Sequence, residues 1–308
     1  MKLGFIYAGQ GSQYVGMGKE FYDHFDECKE LLDSVDLDFD FKKVMFEGPE
    51  EALSLTENNQ PCMVGVAMMA TLLLKEANIT PSYTCGLSLG EYSALACSGV
   101  FDYKQAIELV RKRGLAMAKA AKGISSKMAA VLGLDRETLN TCIEKAQALG
   151  YVAIANYNCP GQLVIAGEEA AVDRASELAS EAGARRVVPL KTSGPFHTAL
   201  LKAASEELHD VFKQENFGSM NIPVIFNATG KELEAGVTVS RMLEKQVMSP
   251  VYFEDSIRYM IAHGVDTIVE IGPGKVLSGF VRKIDKSIKR YNVEDLQSLE
   301  KVKEALHE

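Results

Sequence analysis

An α/β fold carrying a smaller inserted α+β unit is predicted by three features of the chain. Short apolar runs end in glycine-containing turns and hand over to helical patterning, as at Leu3–Ala8 before Gly9 and Tyr83–Cys85 before Gly86. Between residues 125 and 192 the order changes to strand, helix, two strands, helix, strand. The 308 residues suffice for two domains at the usual ~100–200 residues each.

The elements follow in order. After the turn at Gly9-Gln10-Gly11-Ser12, helical patterning begins near Met17. Pro61–Glu76 is rich in Met, Ala and Leu and reads as a buried helix that ends before Pro81. The strand Tyr83–Cys85 precedes a helix over Glu91–Ser98, stopped by Gly99, and another over Tyr103–Ala121, stopped by Gly123. Lys127–Leu134 is expected as a strand and Glu137–Leu149 as a helix. Tyr151–Asn156 and Gln162–Ala166 are strands flanking a turn at Asn158-Cys159-Pro160-Gly161. Helix Glu169–Ala182 and strand Arg186–Leu190 complete a β-α-β-β-α-β order, the pattern of a ferredoxin-like module. Leu200–Gln214, Ser240–Met248 and Phe253–His263 are helical, and Pro223–Asn227 and Thr267–Ile271 are strands. The expected division is residues 1–124 with 193–308 as a large α/β domain and 125–192 as the insertion.

Composition narrows the function. At 47% hydrophobic and 24% charged the chain is neither disordered nor a coiled coil as a whole. No run approaches the ~18 apolar residues of a membrane span, and Leu3–Ala8 is too short for a signal-peptide core, so a cytoplasmic protein is expected. A net charge of −9 argues against nucleic-acid binding and means that an anionic substrate must be held by local charge. The cysteines at 28, 62, 85, 97, 142 and 159 show no C-x-x-C spacing and no cluster with histidine, so reduced thiols and no metal site are expected.

Gly86-Leu87-Ser88-Leu89-Gly90 lies between a strand and a helix, the setting of a nucleophile elbow. Flanking glycines let the backbone turn sharply, and the hydroxyl of Ser88 is pushed out at the sheet edge. The Leu89 N–H, at the helix start, is a natural oxyanion donor. The plainer alternative is Ser88 as a helix cap. A serine nucleophile needs a base. Four of the five histidines, His24, His209, His263 and His307, fall in helical patterns or at the end of the chain. His197 stands in the loop Ser193-Gly194-Pro195-Phe196-His197-Thr198, and loops carry catalytic side chains more often than helix faces do. No acidic residue stands out as a third member, so a backbone carbonyl could orient the imidazole in a Ser–His dyad. Gln10 could place an amide beside the elbow. Gly9-x-Gly11 lacks a third glycine, Tyr14 standing there, and Gly272-Pro273-Gly274-Lys275 is no phosphate loop, so no nucleotide cofactor is expected.

Ala8-Gly9-Gln10-Gly11-Ser12-Gln13, Gly86-Leu87-Ser88-Leu89-Gly90-Glu91-Tyr92, Arg113-Gly114, Asn158-Cys159-Pro160-Gly161-Gln162, Pro195-Phe196-His197 and Glu270-Ile271-Gly272-Pro273-Gly274 occur in one order. In this the chain resembles, over its whole length, the malonyl-CoA:acyl carrier protein transacylases of bacterial fatty acid synthesis. The resemblance implies an α/β-hydrolase-like large domain with a ferredoxin-like insertion, acting without cofactor as a monomer on malonyl-CoA and acyl carrier protein. It implies Ser88 as the acylated nucleophile, His197 as its base, and Gln10 with Leu89 at the oxyanion hole. Arg113 would grip the free carboxylate of the acyl group, and the backbone carbonyl of Gln246 would orient the histidine. Phe196 and Asn158 join these two at the substrate. Two departures are visible: Leu87 where many members have His, and Ala8 where many have Pro.

Read without the resemblance, Arg113 is a solvated helix arginine, and Phe196, beside the base, either crowds a branched α-carbon and so disfavours methylmalonyl groups or is simple loop packing. Lys275, Arg282, Lys283, Lys286, Lys289 and Arg290 form a basic stretch that is either a solvated face or a dock for the acidic carrier. Two other functions fit the elbow. One is a serine esterase or thioesterase that delivers the acyl group to water. The other is a non-catalytic carrier-binding homologue.

Overall fold

The structure, a computed structural model, describes residues 1–307. Strand β1 (Leu3–Tyr7) leads through four short helices, α1 (Lys19–His24), α2 (Asp26–Ser34), α3 (Phe41–Glu47) and α4 (Glu50–Ser54), to the long α5 (Thr56–Glu76). Then come β2 (Tyr83–Gly86), α6 (Gly90–Ser98) and α7 (Tyr103–Ala121). The second unit runs β3 (Ser126–Leu132), α8 (Arg136–Ala146), β4 (Val152–Cys159), β5 (Gln162–Glu168), α9 (Glu169–Glu181) and β6 (Arg186–Leu190). The chain returns through α10 (Lys202–Phe212), β7 (Val224–Ile225), α11 (Val239–Gln246), α12 (Phe253–Ala262), β8 (Thr267–Ile271), α13 (Val276–Ile284), β9 (Lys289–Val293) and α14 (Leu296–His307).

Two sheets result, so the fold is mixed α/β. The first is five-stranded and parallel throughout, in the order β7-β2-β1-β8-β9. Parallel strands with crossover helices send every following loop to one edge. The segments after β1, β2, β7 and β8, which include Gln10, Ser88, Asn227 and Gly272, therefore share the carboxyl edge. The second sheet is antiparallel, in the order β4-β5-β3-β6. Its period of two splits it cleanly. Ala129, Val131, Ile154, Leu163 and Ile165 pack on α8 and α9, while Met128, Ala130, Val164 and Ala166 face the main core. A backbone bridge joins Asn156 on β4 to Val251, just past α11.

Helix α5 is buried on every side, with Val64, Val66, Met68, Met69 and Leu73 all in the core, as expected of a helix that is apolar all round. It begins at Thr56 and not at Pro61, which lies inside it. A proline there leaves the carbonyl four residues earlier without its donor. Arg111 on α7 supplies the donor instead: its Nη1 bonds the Glu57 carbonyl at 2.8 Å. Tertiary structure thus extends a helix across its own breaker.

Three further expectations need correction. Asn158 belongs to β4 and not to the turn, which is the Pro160-Gly161 pair with Gly161 at φ +67°. Strand β9 and helices α13 and α14 lie beyond the last predicted strand. β9 reads Lys-Arg-Tyr-Asn-Val and is an edge strand, paired only with β8, so its charges disguise it. The basic stretch is no single face. Lys289 and Arg290 pair with Thr267 and Ile268, at the amino end of the parallel sheet. Helix α13 carries Arg282 and Lys283 back towards that end, and Lys286 lies in the turn between. Only Lys275 stays at the carboxyl edge, where it pairs with Glu294.

The α5–α7 crossing is tight at Gly114. A Cβ there would stand 2.6 Å from the Glu57 Cα, a backbone atom with nowhere to go. Gly114→Ala gains about 1 kcal/mol of helix propensity but overpacks this crossing, at a cost of roughly 1–3 kcal/mol. Urea unfolding of the variant should show a net loss, up to about 2 kcal/mol. An unchanged or raised midpoint would mean that the helices can move apart freely.

Candidate active site

The turn between β2 and α6 is closed on itself. A Cβ on Gly86 would meet the Gly90 carbonyl carbon at 2.0 Å, and one on Gly90 would meet the Tyr7 carbonyl oxygen at 2.2 Å. Only glycine fits either position. Between them Ser88 takes φ +53°, in the left-handed region, at a cost of about 1–3 kcal/mol for a residue with a side chain. His197 is strained in the same way, at φ +61°. These two and Asn78 are the non-glycine residues with positive φ among the described residues.

The two strained residues meet. Ser88 Oγ lies 2.6 Å from His197 Nε2. On the far side of the ring, Nδ1 is 2.9 Å from the backbone carbonyl of Gln246, which can only accept, so Nδ1 carries the proton. Nε2 is then the acceptor for the serine hydroxyl. The imidazole is oriented by a carbonyl, as in the dyad alternative, and the backbone N–H of His197 donates to the Val247 carbonyl at 3.2 Å. Burial, reinforced by the Arg113 cation, lowers the His197 pKa to about 4. The other histidines with described side chains are solvated: His24 and His263 bond helix carbonyls and His209 pairs with Glu244.

Arg113 is 1% exposed. Its Nη1 donates to Gln60 Oε1 at 2.9 Å, and its Nη2 donates to Gln246 Oε1 at 3.0 Å and to Ser88 Oγ at 3.2 Å. All three acceptors are neutral, Nε has no partner, and the guanidinium stands over the Tyr92 ring at 5.4 Å. The buried Glu91 carboxyl offers little compensation. Desolvation raises its pKa to about 8, against the pull of the Asn227 N–H and of Arg113. A buried cation without a bonded anion is rare unless an anion is to arrive.

The loop after β1 reaches the elbow through its backbone: a Cβ on Gly9 would stand 2.6 Å from the Leu87 carbonyl oxygen. The Gln10 amide side chain is turned to Thr56 Oγ1, at 3.3 Å, and makes no bond to Ser88. The Leu89 and Gln10 N–H groups donate to no other group among the described residues. Phe196 is buried against its own loop, next to Gly194. Asn158 is buried in β4 with Oδ1 unpartnered and joins none of these hydrogen bonds. The Gly272 turn is a plain one, because the Glu270 carboxylate already takes the Leu277 and Ser278 N–H groups that open α13.

Two contributors escaped the sequence reading. Gln60 was hidden inside an unexpected helix start. Asn227 stood as the last residue of an expected strand, although its place after a parallel strand beside β2 is a usable signal. The side chain of Gln246 also does more than its carbonyl suggested: Nε2 bonds the Ser88 carbonyl at 2.8 Å.

Because His197 is neutral in the fold, its ring resonances should titrate in NMR with a midpoint near 4 and not near 6.5. The unfolded chain takes up this proton first, at the ordinary value. His197 therefore costs no stability above pH 6.5, and stability falls as the pH drops from there towards 4. A midpoint above 6 would show an imidazole open to water.

The chain matches the acyl transferase domain family over residues 4–304. The malonyl CoA-acyl carrier protein transacylase of Bacillus subtilis (strain 168) is 43% identical over 310 residues, covering 100% of this chain and 98% of the relative. A crystal structure of malonyl CoA-acyl carrier protein transacylase from Clostridium perfringens ATCC 13124 superposes with a TM-score of 0.95 at 44% identity, covering 100% of this chain and 98% of that one. A malonyl-transacylase solved in complex with its type II polyketide acyl-carrier protein gives 0.92 at 34% identity, over 99% of this chain and 100% of the other. With the hydroxyl, imidazole and guanidinium in one buried cluster, these likenesses make the chain a member of the acyl transferase family, in its malonyl CoA-acyl carrier protein transacylase branch.

Proposed function

We propose that this protein transfers a malonyl group from malonyl-CoA to the phosphopantetheine thiol of acyl carrier protein, by way of a malonyl ester on Ser88. The observation that carries the reading is the buried Arg113 guanidinium, 3.2 Å from Ser88 Oγ with only neutral partners. An acyl group attached to that oxygen and ending in a carboxylate brings the missing anion. Two parallel hydrogen bonds can form, each charge-assisted one contributing about 1.5–3 kcal/mol.

Ser88 Oγ attacks the thioester carbonyl while His197 Nε2 takes its proton. The oxyanion is received by the Leu89 N–H and by the backbone N–H of Gln10. The tetrahedral intermediate collapses, the C–S bond breaks, and CoA leaves with the proton from His197. The carrier thiol, with a pKa near ~8.5, then gives its proton to His197 and attacks the ester. Collapse returns the proton to Ser88 and releases malonyl-carrier. Two half-reactions through one ester give ping-pong kinetics. The anionic substrate also tunes the base. Arg113 helps to depress His197, and a carboxylate on Arg113 cancels that charge, so the imidazole becomes more basic as the acyl group arrives.

The same reading places a monomer in the cytoplasm, and among the described residues no helix is long and apolar enough to cross a membrane. It takes residues 1–124 and 193–308 as an α/β-hydrolase-like unit around the 125–192 insertion. The strand–turn–helix at Ser88 and the separate antiparallel sheet support this. Asn158 is assigned to the substrate on the resemblance alone, and Phe196 on its place beside His197.

Intact-mass analysis after mixing with malonyl-CoA should show one added malonyl group, absent in Ser88→Ala. Arg113→Ala should acylate with malonyl tens-fold or more slowly while losing its discrimination against acetyl-CoA, which leaves the native guanidinium unpaired. Malonyl transfer surviving in Ser88→Ala would exclude the ester. A Ser88 ester that reaches water as fast without carrier as it reaches the thiol with it would make the protein a thioesterase.

A further inference from the structure

The backbone ladder between β2 and β7 stops at the Cys85–Ile225 pair, one residue before the elbow begins. Beyond it β2 turns away, and its next polar groups lose their partner strand. The side-chain amide of Asn227 takes over the pairing. Its Nδ2 donates to the Gly86 carbonyl at 2.6 Å, and its Oδ1 accepts the Ser88 N–H at 2.7 Å. One planar amide thus clamps the carbonyl before the turn and the N–H at its apex, as a strand's own peptide would. It does so at the residue held at φ +53°.

Asn227 is itself held rigidly. It is fully buried. Its N–H donates to Glu91 Oε2 on α6, and its carbonyl accepts the Tyr252 N–H at 2.9 Å. Its Oδ1 also lies 3.4 Å from Gln246 Nε2, on the side chain whose backbone carbonyl holds His197. The amide therefore bonds the Ser88 backbone directly and meets the residue that orients His197, without touching either reacting atom.

From this geometry we infer that Asn227 is a positioning residue for the acyl transfer, holding Ser88 in its strained conformation so that Oγ faces His197 and the Leu89 N–H stays free for the oxyanion. Without the clamp, Ser88 can relax towards negative φ, which swings Oγ and the Leu89 N–H together. Misplacement of reacting atoms by ~1 Å costs on the order of 10²-fold in rate. The inference rests on Ser88 being the acylated residue.

The test is single-turnover acylation of the full chain by malonyl-CoA, followed by intact mass over a range of substrate concentrations. The variants are Asn227→Ala and Asn227→Asp. Asp keeps the acceptor for the Ser88 N–H but sets a carboxylate oxygen against the Gly86 carbonyl. Asn227→Ala should acylate about 10²-fold more slowly at saturation, with the half-saturating concentration changed less than about threefold, because Arg113 and the substrate contacts are untouched. Asn227→Asp should be slowed to a similar degree. Folding is checked by near-UV circular dichroism. If Asn227→Ala does not fold, Asn227→Asp decides alone, by the same criterion. A folded variant acylated within threefold of the native rate overturns the inference, as does a loss confined to half-saturation. If the native protein itself gains no mass at Ser88, the proposed function fails first, and the variants are not to blame.

Discussion

A single 2.6 Å contact, between the hydroxyl of Ser88 and Nε2 of His197, joins residues 109 positions apart, and much of the molecule is arranged to make it. Both residues sit at positive φ, and each strained turn is held by groups around it. Gly86 and Gly90 let the elbow close, Asn227 bridges it, and the Gln246 and Val247 carbonyls fix the histidine from behind. Strain of this kind persists only where the surroundings over-determine it.

Electrostatics explains why so costly a site is kept. Arg113, His197, Glu91 and Gln246 are all buried, yet no bonded ion pair balances the guanidinium. Burial holds His197 neutral and raises Glu91, so the site resolves its charge by suppressing other ionisations. What remains is one cation beside one nucleophile. On a chain of net charge −9, the proposed function has that local field select an anionic acyl group at short range, after the substrate has arrived.

How much of this could be read from the sequence depended on the range of the cause. The elbow was legible because its causes are local: glycines at fixed offsets between a strand and a helix. His197 was legible by elimination, as one histidine in a loop among others in helices. The β-α-β-β-α-β order of the insertion was legible from periodicity, and the second sheet pairs in the matching order. Arg113 was not legible from its own surroundings, since an arginine on an amphipathic helix reads as solvated. Only the family motif singled it out. Its burial comes from α5, whose true start across Pro61 depends on a bond from Arg111. Asn227 and Gln60 act through contacts with residues 141 and 53 positions away, which no local pattern encodes. The basic stretch misled for the same reason: neighbours in sequence were divided between the two edges of a parallel sheet.

The account stands or falls on the charge partner of Arg113. A crystal structure of the protein trapped after reaction with malonyl-CoA addresses it directly. The account predicts an ester on Ser88 Oγ with its terminal carboxylate bonded to the Arg113 guanidinium and its carbonyl oxygen turned to the Leu89 N–H. An acyl group attached to any other residue, or a Ser88 ester whose carboxylate points to solvent while Arg113 keeps its three neutral partners, would contradict it.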